Sequence, residues 1–397
     1  MRRARVVPSG PPGTSRCSPS PSVSPLLIGD HVFNWRAPSI SRNVLRMTTA
    51  LIVGGGIAGT ATAIALRTVG VSSVICEAYP SGGEDTGAFL TVMHNGMAAL
   101  HQIEADRAVI DASHPANGVS LLDASGSQLE QRRIDPPGRT LTRAALYRVL
   151  QDEAARRGVR IDRGRRLVDA TAGDGGVRAS FADGSAAQGD LLVGADGLHS
   201  VVRGLIDPDA PRPRYTGQHV IYGYATGGRG HTAPDAYHTV FGSRAFFGYT
   251  TPPDGRTWWF ARLDATELTQ RMRPEHWRHR VLDAFRDDSG PAAEIVAATG
   301  DDIVGSNSYD IPTTPKWHNG TMVLAGDAAH AASPAAAQGA SMALEDAVAL
   351  ARCLGAHGDL RKAFDAYESL GREPTEETVA ASSRMSNGGT RSPTGPS

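Results

Sequence analysis

The chain has 397 residues, 40% of them hydrophobic and 6% aromatic, enough for one large domain or two intertwined ones with an ample core. Forty basic residues nearly balance 41 acidic ones, which excludes a global field that would draw in nucleic acid or an acidic membrane surface. Cys17, Cys76 and Cys353 are odd in number and far apart, without metal-ligand spacing or a disulfide framework, so no metal is expected and a reducing cytoplasm is the expected location. No run approaches the roughly 18 apolar residues of a membrane-spanning helix.

Residues 1–46 are rich in Pro, Ser and Arg and carry one acidic residue, Asp30. Such a stretch buries too little apolar surface to offset its ordering entropy. It reads as a disordered or non-native extension. A transit peptide has this composition. A mis-set start is preferred, because Met47-Thr48-Thr49 leads directly into the first strand.

From Ala50 the chain alternates strand and helix. Residues 50–53 form an apolar strand, 59–69 a helix and 74–76 a second strand. Residues 143–157 read as an amphipathic helix with Leu146, Val149, Leu150 and Ala154 on one face. Residues 191–193 make a short buried strand. Between 206 and 304 the pattern changes to successive strands, at 220–225, 237–241, 245–250 and 257–263, separated by Gly- and Pro-containing turns. Buried strand character returns at 321–325, before a long Ala-rich helix over 341–354. The expected class is α/β: a Rossmann-type dinucleotide-binding fold with an inserted, mainly antiparallel β-sheet domain. The expected boundaries are 47–205 for the first part of the dinucleotide domain, with small substrate-side insertions, 206–304 for the inserted sheet, 305–385 for the return segment and 386–397 for a flexible tail.

Three motifs carry chemistry. Residues 51–59 read LIVGGGIAG, so Gly54, Gly56 and Gly59 satisfy G-x-G-x-x-G where a strand turns into a helix. Gly54 permits the tight turn, Gly56 lets a pyrophosphate approach the backbone, and Gly59 lets the helix lie close to the sheet. Ile57 and Ala58 open the helix, whose first N–H groups are free for an anion. Glu77, at the end of the second strand, is placed to accept hydrogen bonds from a ribose diol. The second motif is DLLVGADGLHSVVR over 190–203, in which Asp196 and Gly197 form a turn at a strand's carboxyl end. In the third, a strand delivers Gly326-Asp327, and a loop through Pro334 leads to Gln338-Gly339-Ala340 and the Ala-rich helix. Asp327 is placed to hydrogen-bond a hydroxylated chain, and the helix from Gly339 aims its positive dipole end at whatever lies there.

These three segments, in this order and spacing, resemble the class A flavoprotein monooxygenases, the para-hydroxybenzoate hydroxylase-like family, over residues 49–385. The resemblance implies bound FAD, NAD(P)H as co-substrate without a second dinucleotide domain, and O2 as the oxygen source. The implied reaction is hydroxylation or epoxidation of a small organic substrate, aromatic or a natural product, by a monomer or homodimer. It implies that Gly54, Gly56, Gly59 and Glu77 hold the ADP half. Arg143 reaches the phosphate or flavin region, and Asp196 supports FAD and the approach of nicotinamide. Asp327 binds the ribityl chain, with Gly326 beside it, and Gly339 and Ala340 border the flavin. One departure concerns Ala337, where the family often has Gly; a methyl there requires a negative φ. Alternative readings are a flavin-dependent reductase, halogenase or non-redox cyclase on the same scaffold, or a flavin-binding protein without turnover. The Trp-x-Trp-x-Ile-Pro segment of halogenases is absent. Counted from Met47, the chain is shorter than the family leads one to expect, and its closing C-terminal helical segment is in question. No catalytic side chain is assigned, because the flavin carries the chemistry. His330 reads as structural, and His94 and Asn95 read as packed. Of Trp258 and Trp259, alternation turns one to a core and one to a pocket or outward.

Overall fold

The computed structural model describes residues 48–388, apart from 82–87, 174, 227–235 and 271. The 1–46 extension, Met47 and residues 389–397 lie outside the described residues. The chain opens with β1 (Thr49–Val53), α1 (Ile57–Thr68) and β2 (Ser72–Glu77). It continues through β3 (Phe89–Val92), α2 (His94–Gln102), α3 (Asp106–Asp111), β4 (His114–Asp123) and β5 (Gln128–Thr142). Then come α4 (Arg143–Arg156), β6 (Arg160–Arg163), β7 (Leu167–Gly173), β8 (Gly176–Phe181), β9 (Ala186–Gly189), β10 (Leu191–Gly194) and α5 (Val201–Ile206). The later part holds β11 (Arg214–Thr226), β12 (Ala236–Phe241), β13 (Ala245–Thr250), β14 (Arg256–Asp264), α6 (Pro274–Ala284), α7 (Ala292–Ala297) and β15 (Thr299–Asp310). The chain closes with β16 (Met322–Leu324), α8 (Asp327–His330), α9 (Gly339–Ala356) and α10 (Leu360–Gly388).

The first sheet is parallel, in the order β16-β10-β1-β2-β6. Its central strands are apolar because both faces are covered: Leu51, Ile52, Leu192 and Val193 are all buried. Helix α1 is buried from Ala58 to Leu66, and its small residues let α9 lie close against it. Gly70, at φ 84, ends α1, with the Val71 N–H reaching back to the Leu66 carbonyl at 3.0 Å.

The second sheet has the order β15-β11-β14-β13-β12-β4-β5-β3 and is antiparallel except for the β12–β4 pair. Its outer face carries Ile221, Phe247, Trp259 and Ala261 against Trp277, Val281 and Phe285 of the α6–α7 region. Its inner face turns toward the dinucleotide unit. This matches the expected class of a Rossmann-type fold joined to a mainly antiparallel sheet. Three strands of that sheet, β3 to β5, come from residues 89–142, ahead of the change of pattern near 206. Strand β5 is polar and largely exposed, so it carries little apolar periodicity to announce it. A third sheet, β7-β8-β9, was not anticipated. Its Val177, Ala179 and Phe181 join the core of the parallel sheet. Helix α10 runs to Gly388, into the segment read as tail, and the Ser386 hydroxyl lies 2.9 Å from that of Ser333.

Candidate cofactor and substrate site

Gly54 has φ 103, and a Cβ there would strike the Ala195 carbonyl. A Cβ at Gly59 would strike the Gly54 carbonyl oxygen. Both positions need glycine for the fold alone. Gly56 differs: the nearest atom to a Cβ there is the Tyr147 hydroxyl at 3.7 Å. Gly56 also caps α1 without a side-chain hydrogen bond, so the N–H groups of Ile57, Ala58 and Gly59 lack intrahelical acceptors. The protein therefore leaves free both the space and the donors that an anion uses.

Glu77 is buried, and each carboxylate oxygen accepts a backbone N–H: Gly55 at 2.6 Å and Tyr79 at 2.7 Å. It braces the glycine loop from within. Two further residues hold the Gly55 carbonyl, Thr60 Oγ1 at 3.0 Å and Gln151 Nε2 at 2.9 Å. Sequence reasoning missed Gln151. Its only signal was a polar residue beside Leu150 on the buried side of α4.

Asp196 accepts from the Ser200 hydroxyl at 2.5 Å and from the N–H groups of Val201 and Val202 at 2.7 and 3.2 Å. In this structure it accepts the first N–H groups of α5, whose N-cap is Ser200. Burial raises its carboxyl above the ordinary range, and these hydrogen bonds oppose the shift. Arg203 is buried and donates to the carbonyls of Leu198 at 2.7 Å and Ala328 at 3.0 Å, tying the second motif to the third.

Gly326 has φ 63 and packs against Ala58, while its N–H donates to Asp346 Oδ2 at 2.7 Å. His330 Nε2 lies 2.7 Å from the same oxygen, which places His330 inside a buried brace. Burial opposes a charge on His330, but the Asp346 carboxylate outweighs it and raises the histidine's pKa.

Asp327 and Arg143 stand apart from these braced groups. Both side chains are solvent-accessible, and neither forms a hydrogen bond to a described residue. Yet Asp327 is enclosed enough that desolvation pushes its carboxyl upward, against the pull of the Arg143 charge. Accessibility combined with enclosure describes the wall of an internal cleft. Gly339, opening α9, borders it: a Cβ there would lie 3.9 Å from Asp327 Oδ1. Ala340 follows, half-buried, in the first turn.

The loop before α9 corrects one expectation. Ala337 adopts φ 54 and ψ 27, the left-handed region, where a negative φ was required. The cost is about 1–2 kcal/mol of backbone strain. Ala337 is exposed, so its methyl is not pressed into a packed interior.

Beside the cleft stands an aromatic wall. Phe89 lies 5.8 Å from Tyr222, 5.6 Å from Trp258 and 6.2 Å from Phe260, ring centre to ring centre. Trp258 faces this wall, whereas Trp259 enters the outer core and donates to Thr299 Oγ1 at 2.9 Å. The charge of Arg143 acts on the Tyr222 hydroxyl, so wall and cleft adjoin. Asn95 is buried and donates to Gln338 Oε1 at 3.3 Å and Glu345 Oε2 at 3.0 Å, linking α2 to α9. His94 is half-buried and hydrogen-bonds to no described residue.

A family profile described as FAD binding domain matches residues 47–382. The chain belongs to this family. It is an FAD-dependent monooxygenase, as its similar proteins are. The monooxygenase is 31% identical over 345 residues to aurachin C monooxygenase/isomerase of Stigmatella aurantiaca, covering 85% of this chain and 88% of that protein. It is 27% identical over 335 residues to the FAD-dependent urate hydroxylase of Klebsiella pneumoniae, covering 81% and 85%. Among solved structures, Klebsiella pneumoniae HpxO with FAD and uric acid superposes with a TM-score of 0.78 at 24% identity, over 86% of this chain and 88% of that one. CtdE with FAD and a substrate superposes with a TM-score of 0.77 at 20% identity, over 86% and 90%. The cleft fits FAD: the free α1 N-terminus, the open space at Gly56, and Arg143 and Asp327, whose side chains have no hydrogen-bond partner among the described residues, are what a dinucleotide flavin requires.

Proposed function

We propose that this monooxygenase inserts one oxygen atom from O2 into a small aromatic or aromatic-like natural product, using NAD(P)H as reductant. The relatives' names support the class: one acts on aurachin C, another on urate, a third on 3-amino-4-hydroxybenzoate. The observation that carries the reading is the aromatic wall of Phe89, Tyr222, Trp258 and Phe260 beside the Arg143–Asp327 cleft.

Gly54, Gly56, Ile57, Ala58 and Gly59 would hold the pyrophosphate, and Glu77 would share its carboxylate between Gly55 and the ribose. Arg143 and Asp327 would take the flavin side, with Gly326, Gly339 and Ala340 at its border and Asp196 supporting the loop behind. FAD, when bound, supplies the redox step that activates O2. The protein's part is to orient the substrate and exclude water. The N–H groups that open α9 favour negative charge beside them. The proposed division keeps 47–205 and 305–385 as the FAD-binding parts and 206–304 as the main substrate part, with β3 to β5 completing its sheet. Cys76 and Cys353 are free and buried, in keeping with a cytoplasmic location.

NAD(P)H oxidation under O2, with and without candidate aromatics, tests the reading. Substrate-stimulated oxidation with a product heavier by one oxygen atom supports it. Oxidation that yields only peroxide with every aromatic tried overturns it.

A further inference from the structure

Trp258, Phe260 and Arg262 alternate along β14 and share its inner face. Arg262 is 3% exposed. Its guanidinium lies over the Phe246 ring, 4.2 Å from the ring centre. Nε and Nη1 are buried without a hydrogen-bond partner among the described residues. Nη2 forms no hydrogen bond either, and is not among the fully buried unpaired atoms, so it keeps some of the little accessible surface that remains. Asp264, the acid next along the same side of the strand, accepts from Gln218 Nε2 at 2.9 Å; its charge acts on Arg262, but the two form neither a hydrogen bond nor an ion pair. Burial pushes the guanidinium down to about 10, still charged at neutral pH.

A buried cation without a partner is a costly arrangement. A core that needed only bulk here would carry an apolar side chain. The ring of Phe246 offsets part of the cost but accepts none of the guanidinium's in-plane hydrogen bonds. The neighbour Tyr222 links this group to the cleft: the charges of Arg143 and Arg262 both act on its hydroxyl. Phe260 of the aromatic wall stands two residues before Arg262 on the same face of β14, so the unfilled demand for an anion lies beside that wall, on the sheet face that carries it.

We propose that Arg262 is a specificity-determining residue of the substrate site and that the substrate is an aromatic oxyanion whose carboxylate or phenolate oxygen accepts from the Arg262 guanidinium. This rests on the reading of the inner sheet face as the substrate site. The ring of the substrate lies against the aromatic wall, and the anionic oxygen supplies the partner that the protein itself does not. A neutral ring of the same shape would leave the guanidinium unpaired and bind more weakly.

The test uses the FAD-loaded full chain and three probes: benzoate, 4-nitrophenolate and neutral benzamide. Binding is read from perturbation of the flavin absorbance and from the rise in unfolding temperature. The wild type should prefer one of the two anions over benzamide by at least about tenfold, the range of a charge-assisted hydrogen bond. Which anion it prefers separates a carboxylate from a phenolate. Arg262→Met and Arg262→Gln should both lose that preference while retaining FAD. Without any probe, Arg262→Met should unfold at the same temperature as the wild type or higher, because it removes an unpaired buried charge. A purely structural arginine gives the opposite pattern, with a lower unfolding temperature and an intact preference. A wild type that binds no probe or shows no anion preference overturns the proposal, as does a preference surviving in both variants. In those cases NAD(P)H oxidation stimulated by a neutral aromatic, with oxygen incorporated, would leave the monooxygenase reading standing.

Discussion

The Asp346 carboxylate on α9 lies 2.7 Å from His330 Nε2 in a fully enclosed pair. The same oxygen accepts the Gly326 N–H, so one side chain secures both ends of the turn that presents Asp327. Breaking such a buried pair from one side typically costs about 3–5 kcal/mol. Asp346→Ala is therefore expected to lower the unfolding free energy by about that amount, read by urea titration of the apoprotein. A loss below about 1 kcal/mol would show that the pair does not anchor the turn.

The raised pKa of His330 sets a pH dependence. A histidine whose folded pKa exceeds its unfolded value contributes stability that is complete below the unfolded pKa and fades as pH rises through the folded one. The window thus opens at the ordinary value of 6.5 and extends upward. As pH rises above 6.5 the wild type should lose stability relative to His330→Gln, which keeps a donor but does not titrate. Parallel curves for the two proteins would show that His330 is uncharged in the fold.

Ala337→Gly should stabilise the apoprotein by about 0.5–1 kcal/mol. The left-handed backbone is free to glycine, and the unfolded chain's gain in entropy cancels only part of that relief. Thermal unfolding decides it. A destabilised variant would mean that the alanine is not strained at its observed φ.

Glu77 braces the glycine loop and is proposed to hold the ribose of FAD as well, and its substitutions test both roles. Glu77→Ala leaves the Gly55 and Tyr79 N–H groups without their acceptor inside a buried site. It should lower apoprotein stability by about 1–3 kcal/mol and FAD affinity by roughly ten- to a hundredfold. Glu77→Gln keeps one oxygen and should lose less of both. FAD titration and apoprotein melting give the two readouts, and an unchanged FAD affinity in Glu77→Ala would take Glu77 out of the cofactor site.

Asp327 is expected to behave in the opposite way in the apoprotein. Its folded pKa is raised, chiefly by desolvation, so its charge weighs against the empty fold once pH exceeds the ordinary carboxylate range. Asp327→Asn should therefore melt no lower than the wild type without FAD, and higher if anything, at neutral pH. It should bind FAD more weakly, and Asp327→Ala more weakly still. A variant with a lower apoprotein melting point and intact FAD affinity would reduce Asp327 to a local turn residue.

Certain features of this protein are written locally, because their physical demands act over a few residues. A strand that turns at once into a helix requires the backbone freedom of Gly54 and the missing side chain of Gly59, and both are visible as letters. Alternation along a strand was enough to expect Trp258 and Trp259 on opposite faces. The buried parallel strands announce themselves as continuous apolar runs. The polar strand β5 does not, since its place comes from pairing with β3 and β4 rather than from its own side chains. The tertiary structure alone decided which polar groups are satisfied. It gave Asp196 three local donors and Glu77 two, and it left Arg143 and Asp327 facing a cleft without side-chain hydrogen-bond partners among the described residues. It also buried Arg262 beside the aromatic wall, where no described residue forms a hydrogen bond with its guanidinium. Whether a charge is paired depends on what distant strands and helices bring opposite it, and that information is carried by no single stretch of chain.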